Sequence, residues 1–470
     1  MPVSLPQVRL HNSLTRRIEP IEPIEPGRVS IYTCGSTVYK YAHIGNMRTY
    51  LFGDLLHRML EYLGYEVRYV KNITDVGHMR DDQLDSVAGP DKMELAAETE
   101  GKSTREIADY YTRAWLEDEA LINILPVDVM PRATDHIPEM IGLTAKLLAN
   151  RLAYEVNGTI YYDVSEFRGY GQLSGQKIEE TMPGHRVEVE SDKRDPADFA
   201  LWKHAHEHRA MKWPSPWGDG FPGWHIECSA MSLKHLGERF DIHTGGIDLK
   251  FPHHEDEIAQ SEGALGHPVV NVWMHGEFLT MDDAKMAKSA GNIIRVAELP
   301  ELGHEPLVFR YLALTAHYRS KLDFTADAMH AASSGLARLR RAASGPEVSV
   351  DLSDEPMARY RARFADAIAD DLATPRALAI AHEVASSQDL TSAQRRALLL
   401  DFDRVLGLGM EVPLARPAPL PDGAAALLER RAAARAARDF GTSDALRDEL
   451  GAMGVEVRDT PDGQITTPRP

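Results

Sequence analysis

Residues 31–63 read as a strand, a glycine-marked turn and a helix, a second strand follows Gly64, and a further strand ending in glycines spans residues 240–246. With the Ala-, Leu- and Arg-rich stretches beyond residue 325, these observations predict an α/β protein, a parallel-sheet nucleotide-binding domain followed by helices. The first strand is the run Ile31-Tyr-Thr-Cys-Gly, and its helix, expected from about Met47, is stopped by Gly64. Tyr65-Glu-Val-Arg-Tyr-Val-Lys-Asn-Ile-Thr then has the β-branched and aromatic character of the second strand. A strand feeding a helix start places unpaired N–H groups and the positive end of the helix dipole at the strand's carboxyl edge, where a phosphate can sit. Within that turn His43 and Asn46 are three apart and share one face, and Gly45 lets a ligand approach the backbone.

The chain has 470 residues, which predicts two to four domains. No apolar run is long enough to span a membrane and the first residues lack the apolar core of a signal peptide, so a cytoplasmic protein is expected. Cys34 and Cys228 are the only cysteines, too few for a disulfide framework, and are either buried apolar residues or ligands. A net charge of −19 excludes a broadly basic nucleic-acid surface, so any RNA contact must come from local cation clusters.

The prolines of residues 18–27 suggest an extended edge leading into the first strand. A loop with short helical pieces is expected over residues 75–101, then a helix through Ile107 to Leu121 that Pro126 ends. Beyond it come a helix near residues 137–152, a hairpin at Asn157-Gly158 and a loop rich in His, Pro and Trp over residues 204–222. Prolines 413, 417, 419 and 421 mark a linker, and Arg430, Arg431, Arg435 and Arg438 lie along the helix after it. A terminal helix and hairpin complete the chain.

His43-Ile-Gly-Asn46 and the doubly basic Lys285-Met-Ala-Lys-Ser289 occur in that order, with Gly223-Trp-His-Ile-Glu-Cys-Ser and Phe251-Pro-His-His-Glu-Asp-Glu-Ile-Ala-Gln between them. The outer pair resembles the HIGH and KMSKS signatures of class I aminoacyl-tRNA synthetases. The inner pair resembles the cysteinyl-tRNA synthetase family in particular, and the match runs from about residue 31 to 463. Three positions depart from that pattern: Asn46 stands for the last His of HIGH, Ser36 for a proline, and Ala287 for the first serine of KMSKS.

The resemblance implies a Rossmann-like catalytic domain in two halves, residues 1–125 and 223–325, split by a connective-peptide insertion at 126–222. A helical tRNA-binding bundle at 326–412 and a linker with a small anticodon-side domain at 413–470 follow. It implies ATP-dependent activation of cysteine to cysteinyl adenylate and transfer to tRNA(Cys), by a monomer. Catalysis falls to His43, Asn46, Lys285 and Lys288; ATP, as its Mg²⁺ complex, meets His43, Asn46, Lys288 and Asp248; Thr74 and Trp224 line the amino-acid pocket. One zinc is held by Cys34, Cys228, His253 and Glu257. Pro252 at a helix start would put His253 and Glu257, four apart, on one face, with His254 turned about 100° away to a supporting or nucleotide contact. The insertion is already filled by a helix and a hairpin, so no editing domain is expected. Two rivals remain: a ligase joining cysteine to a small amine, and a non-catalytic zinc and RNA-binding relative.

Overall fold

The computed structural model describes residues 7–76, 91–176, 193–281, 284–285, 294–346, 349–411, 421, 423–437, 439–453, 455–460 and 463–468. They form two compact units, Met1–Glu411 and Val412–Pro470.

At the centre of the larger unit is a parallel sheet of four strands in the order Val270–Gly276, Phe240–Gly246, Arg28–Thr37, Glu66–Thr74. The chain builds outward from Arg28–Thr37 to one side, then returns and builds to the other. The strand order therefore reverses between Arg28–Thr37 and Phe240–Gly246, and a crevice opens at their carboxyl ends, where open α/β sheets bind ligands. Ile31, Val70 and Ile242 are fully buried, as expected of a sheet covered on both faces.

The helix after the first strand is Ile44–Tyr62, three residues longer at its start than the periodicity predicts. His43 is its N-cap, and the two polar side chains of the turn make the difference. The His43 ring accepts from the Asn46 N–H at 3.3 Å, and the Asn46 side chain accepts from the His43 N–H at 3.2 Å. Both otherwise orphaned backbone donors are thereby satisfied.

Between the second and third core strands lie the helices Lys92–Glu100, Thr104–Leu121 and Ile137–Ala149 and a five-stranded antiparallel sheet. Its first hairpin, Ala153–Val156 with Thr159–Tyr162, turns through Asn157 (φ 52°) and Gly158 (φ 81°), the positive angles that a two-residue hairpin needs. The helix Ile137–Ala149 packs against Trp224–Leu236 and Glu255–Leu265, the helices beside the third core strand.

Five helices, from Pro306–Leu314 to Ser392–Leu406, close the larger unit. Fully buried Arg310 joins them to the helix Ile44–Tyr62 and to the end of Thr104–Leu121, donating to Asp54 Oδ2 at 2.7 Å and to the carbonyls of Ile122, Asn123 and Leu406. At the other end of the chain, Arg17–Pro20, where the proline-bearing stretch begins, is extended and pairs antiparallel with Arg9–Asn12.

In the smaller unit the helices Ala424–Ala436 and Phe440–Ala452 pack with the hairpin Val455–Thr460 and Gly463–Pro468 around Ala424, Leu450 and Val455. Arg430 and Arg435 are exposed there but Arg431 is buried, so the Arg row is not one open face. Arg438 and prolines 413, 417 and 419 lie outside the described residues.

Candidate active site

Cys34 sits where the first core strand slips register against the second. Between the pairs Thr33 with Lys71 and Ser36 with Ile73, two residues face one, which is a β-bulge. Gly35 makes the bulge possible, since a Cβ there would lie 1.7 Å from the Asn72 carbonyl oxygen. Its N–H donates to Asn72 Oδ1 at 2.9 Å, and Asn72 Nδ2 donates to Thr74 Oγ1 at 3.1 Å, which ties Thr74 to the same turn.

Cys228 comes from the helix Trp224–Leu236, and His253 and Glu257 from the chain after the third core strand. That second segment departs from the predicted helix start at Pro252. Phe251 is extended (φ −145°, ψ 134°), a wider turn occupies residues 250–254, and the regular helix begins at Glu255. His253 and Glu257 still meet, Nε2 to Oε1 at 3.1 Å. The two sulfurs lie 3.8 Å apart, Cys34 is 3.7 Å from Glu257 Oε1, and one ligand atom from each of the four residues falls within 4.8 Å of every other. All four residues are buried, none more than 6% exposed.

Burial raises the Cys34 thiol well above its ordinary value, while the hydrogen bond from Cys34, working against burial, brings Cys228 down to about 6. Burial also opposes charge on His253 and Glu257. Hydrogen bonds to Cys228 and Glu257 overcome it and hold His253 up at about 10, and the neighbouring His243 holds Glu257 down at about 2. The cluster thus carries two anionic donors, Cys228 and Glu257, beside a proton on His253, the proton that a bound cation displaces.

Several supporting residues were not singled out by the sequence. His225 Nδ1 meets His253 Nδ1 at 2.9 Å, which leaves His253 Nε2 for the cluster, and His225 Nε2 faces Asp256 Oδ2 at 3.3 Å. Tyr170, from the segment between the second and third core strands, donates to the other oxygen of Asp256. His243 donates to Glu257 Oε2 at 2.9 Å and so turns Oε1 to the cluster. His254 Nδ1 meets His275 at 2.9 Å, and its Nε2 reaches to 3.3 Å from Cys34. Cys34, His243, His254 and Glu257 therefore make a second, overlapping group of possible ligands. The only signal in the sequence was the crowding of histidines into Trp-His-Ile-Glu, Asp-Ile-His and Pro-His-His.

The crevice at the strand-order reversal holds a cleft of about 110 Å³, lined by His43, Asn46, Thr49, Gly246, Asp248 and Glu277 among others. Three of the predicted nucleotide residues, His43, Asn46 and Asp248, thus meet in one place. The cap fixes their chemistry: His43 Nδ1 accepts, so in the neutral ring Nε2 carries the proton, and Asn46 Oδ1 accepts, so its Nδ2 is left as a donor. Gly245 and Gly246 lie between cleft and cluster. A Cβ on Gly245 would meet the His254 ring at 2.7 Å, and its neighbour lines the cleft. The Trp224 ring stands 4.4 Å from that of His253, on the cluster side.

The backbone of Ala284–Lys285 pairs with Leu279–Met281, and Leu279 is part of the cleft wall. Lys288 and Ala287 lie outside the described residues.

The profile of the class I (C) tRNA synthetase catalytic domain matches residues 20–334, and that of the cysteinyl-tRNA ligase anticodon-binding domain matches residues 418–465. Cysteine-tRNA ligase of Thermus thermophilus is 44% identical over 97% of this chain and 98% of its own length. That of Chlorobaculum tepidum is 42% identical over 97% and 98%, and cysteine-tRNA ligase 1 of Burkholderia lata 45% over 97% and 96%. The chain belongs to the cysteine-tRNA ligase family. Solved class I synthetases share the fold: Mycobacterium tuberculosis methionyl-tRNA synthetase bound to methionyl adenylate superposes with a TM-score of 0.53 at 17% identity, covering 81% of this chain and 90% of that one. No described helix is long and apolar enough to cross a membrane.

Proposed function

We propose that this chain activates cysteine with ATP, releasing pyrophosphate and forming cysteinyl adenylate, and then transfers the cysteinyl group to a terminal ribose hydroxyl of tRNA(Cys). The observation that carries the reading is the juxtaposition of the buried Cys34, Cys228, His253 and Glu257 group with the cleft at the strand-order reversal. The match of the tail to an anticodon-binding profile favours tRNA over a small amine as acceptor.

The first group suits zinc. With Zn–S near 2.3 Å, a tetrahedral ion separates two sulfurs by about 3.8 Å, and with Zn–N and Zn–O near 2.0–2.1 Å it separates nitrogen from oxygen by about 3.3 Å. The sulfurs here are 3.8 Å apart and the His253 nitrogen is 3.1 Å from the Glu257 oxygen. The overlapping group offers one thiol fewer, which makes it the poorer set for a thiophilic ion. Bound zinc would supply a position for the substrate thiol, a ligand that serine's harder and less acidic hydroxyl cannot imitate.

The rest of the chemistry is positioning and charge neutralisation. His43 Nε2 and Asn46 Nδ2 donate to the triphosphate of ATP, which arrives with Mg²⁺. Lys285 and Lys288 close on it as charge builds at the α-phosphorus, Asp248 accepts from the ribose hydroxyls, and Trp224 and Thr74 wall the amino-acid pocket. The test is charging of purified tRNA(Cys) with cysteine or with serine. Cysteine-specific charging is expected. Exchange of pyrophosphate without charging, or charging with both amino acids, would contradict it.

A further inference from the structure

Beside the cleft is a cluster of aromatic and cationic side chains that none of the chemistry above employs. The loop Tyr39-Lys40-Tyr41, just ahead of His43, packs against the helix Thr104–Leu121. Tyr41 and Tyr110 share a hydrogen bond between their hydroxyls at 2.6 Å. The Tyr41 ring meets Tyr111 edge-on at 5.0 Å, and Tyr110 and Tyr111 meet edge-on at 5.1 Å. Cations lie over these rings: the Arg295 guanidinium 3.7 Å from the centre of Tyr41, Lys102 4.7 Å from Tyr110, and Lys40 and Lys92 5.1 and 5.7 Å from Tyr39.

In a chain of net charge −19 such a gathering stands out, and the acids close to it are already engaged. Glu100 accepts from Tyr111 and Lys102, Asp118 from Arg295 and the Ala297 N–H, and Asp109 from Arg105 and Arg132. Tyr110 remains 41% exposed.

Location supplies the occupant. Tyr41 is two residues from His43, a span of at most about 7 Å along the backbone. On the other side, the Ile44 N–H donates to the Ile294 carbonyl at 2.9 Å, which fixes Arg295 beside the same helix start. A strand whose terminal ribose enters the cleft on the side of His43 would meet this surface unpaired. Rings with cations above them are what hold single-stranded RNA, through base stacking and contacts to phosphate.

We propose that Tyr41, Tyr110 and Tyr111, with Arg295 and Lys102, form a stacking platform for an unpaired nucleotide at the 3′ end of the tRNA acceptor strand. The proposal rests on reading the chain as a tRNA ligase, so the wild-type protein must first charge tRNA(Cys); failure there contradicts that reading before any variant is made.

The experiment compares wild type with Tyr110→Ala and Tyr110→Trp in three assays: cysteine-dependent pyrophosphate exchange, charging kcat/KM for tRNA, and binding of tRNA(Cys) lacking its three 3′-terminal nucleotides. Loss of one base stack corresponds to about 5- to 150-fold in affinity. Tyr110→Ala is therefore expected to lower charging by that factor and leave exchange unchanged, and Tyr110→Trp to retain charging. Truncated tRNA is expected to bind wild type and Tyr110→Ala equally. Unaltered charging by Tyr110→Ala, a matching fall in exchange, or an equal loss of affinity for the truncated tRNA would each overturn the platform.

Discussion

Asp256 shows how far one side chain can act without touching the cluster's ligand atoms. It receives His225 on one oxygen and Tyr170 on the other, and His225 in turn holds His253 by Nδ1. Removing such a support commonly weakens a metal site by about 10- to 100-fold. Asp256→Ala is therefore expected to lower zinc affinity by that factor while the fold persists, measured by competition with a chelator of known affinity. Wild-type affinity would show that His253 is held by its packing alone. Of these residues only His253 and Glu257 were legible as a pair, because four residues apart on a helix is a spacing that a sequence displays. His225, His243 and Tyr170 act through partners 28, 14 and 86 residues away, and no local pattern announces such contacts.

The same limit recurs among the elements. The βαβ unit was readable from residues 31–74, since its apolar periods, Gly64 and the β-branched second strand are local signals. The helix start moved to Ile44 because His43 and Asn46 cap each other, and the later helix started at Glu255 because Phe251 stays extended. The bulge at Cys34 and Gly35 had no signal beyond the glycine itself. Its requirement is strict: a methyl group at Gly35 would overlap the Asn72 carbonyl at 1.7 Å, and backbone cannot retreat as a side-chain tip can. Gly35→Ala is expected to flatten the bulge, move Cys34 and Thr74 together, and lower both thermal stability and zinc content. A variant that unfolds at the wild-type temperature with full zinc would remove the bulge from the account.

Across the whole molecule, the helical and small C-terminal parts were anticipated from composition, but the sheet order was not. Only the packed structure shows that the strands reverse direction of growth at the cleft, and that three sequence-distant segments meet in the cluster. The division at residues 411 and 412 separates a small unit with its own core of Ala424, Leu450, Val455 and Val457. Deleting residues 416–470 is accordingly expected to spare cysteine-dependent pyrophosphate exchange and to weaken charging, with the weakening shrinking as salt rises, because contacts to phosphate are the ones that salt removes from the full chain. Equal loss in both assays would mean that the larger unit needs the tail in order to fold.

The central claim is that cysteine is chosen by a metal held on Cys34, Cys228, His253 and Glu257. It is tested most directly by zinc X-ray absorption on the purified protein, with and without cysteine. Two sulfur ligands are expected in the free protein and three when cysteine is bound, with serine leaving the count at two. A sulfur count that cysteine does not change, or a single sulfur in the free protein, would contradict the claim.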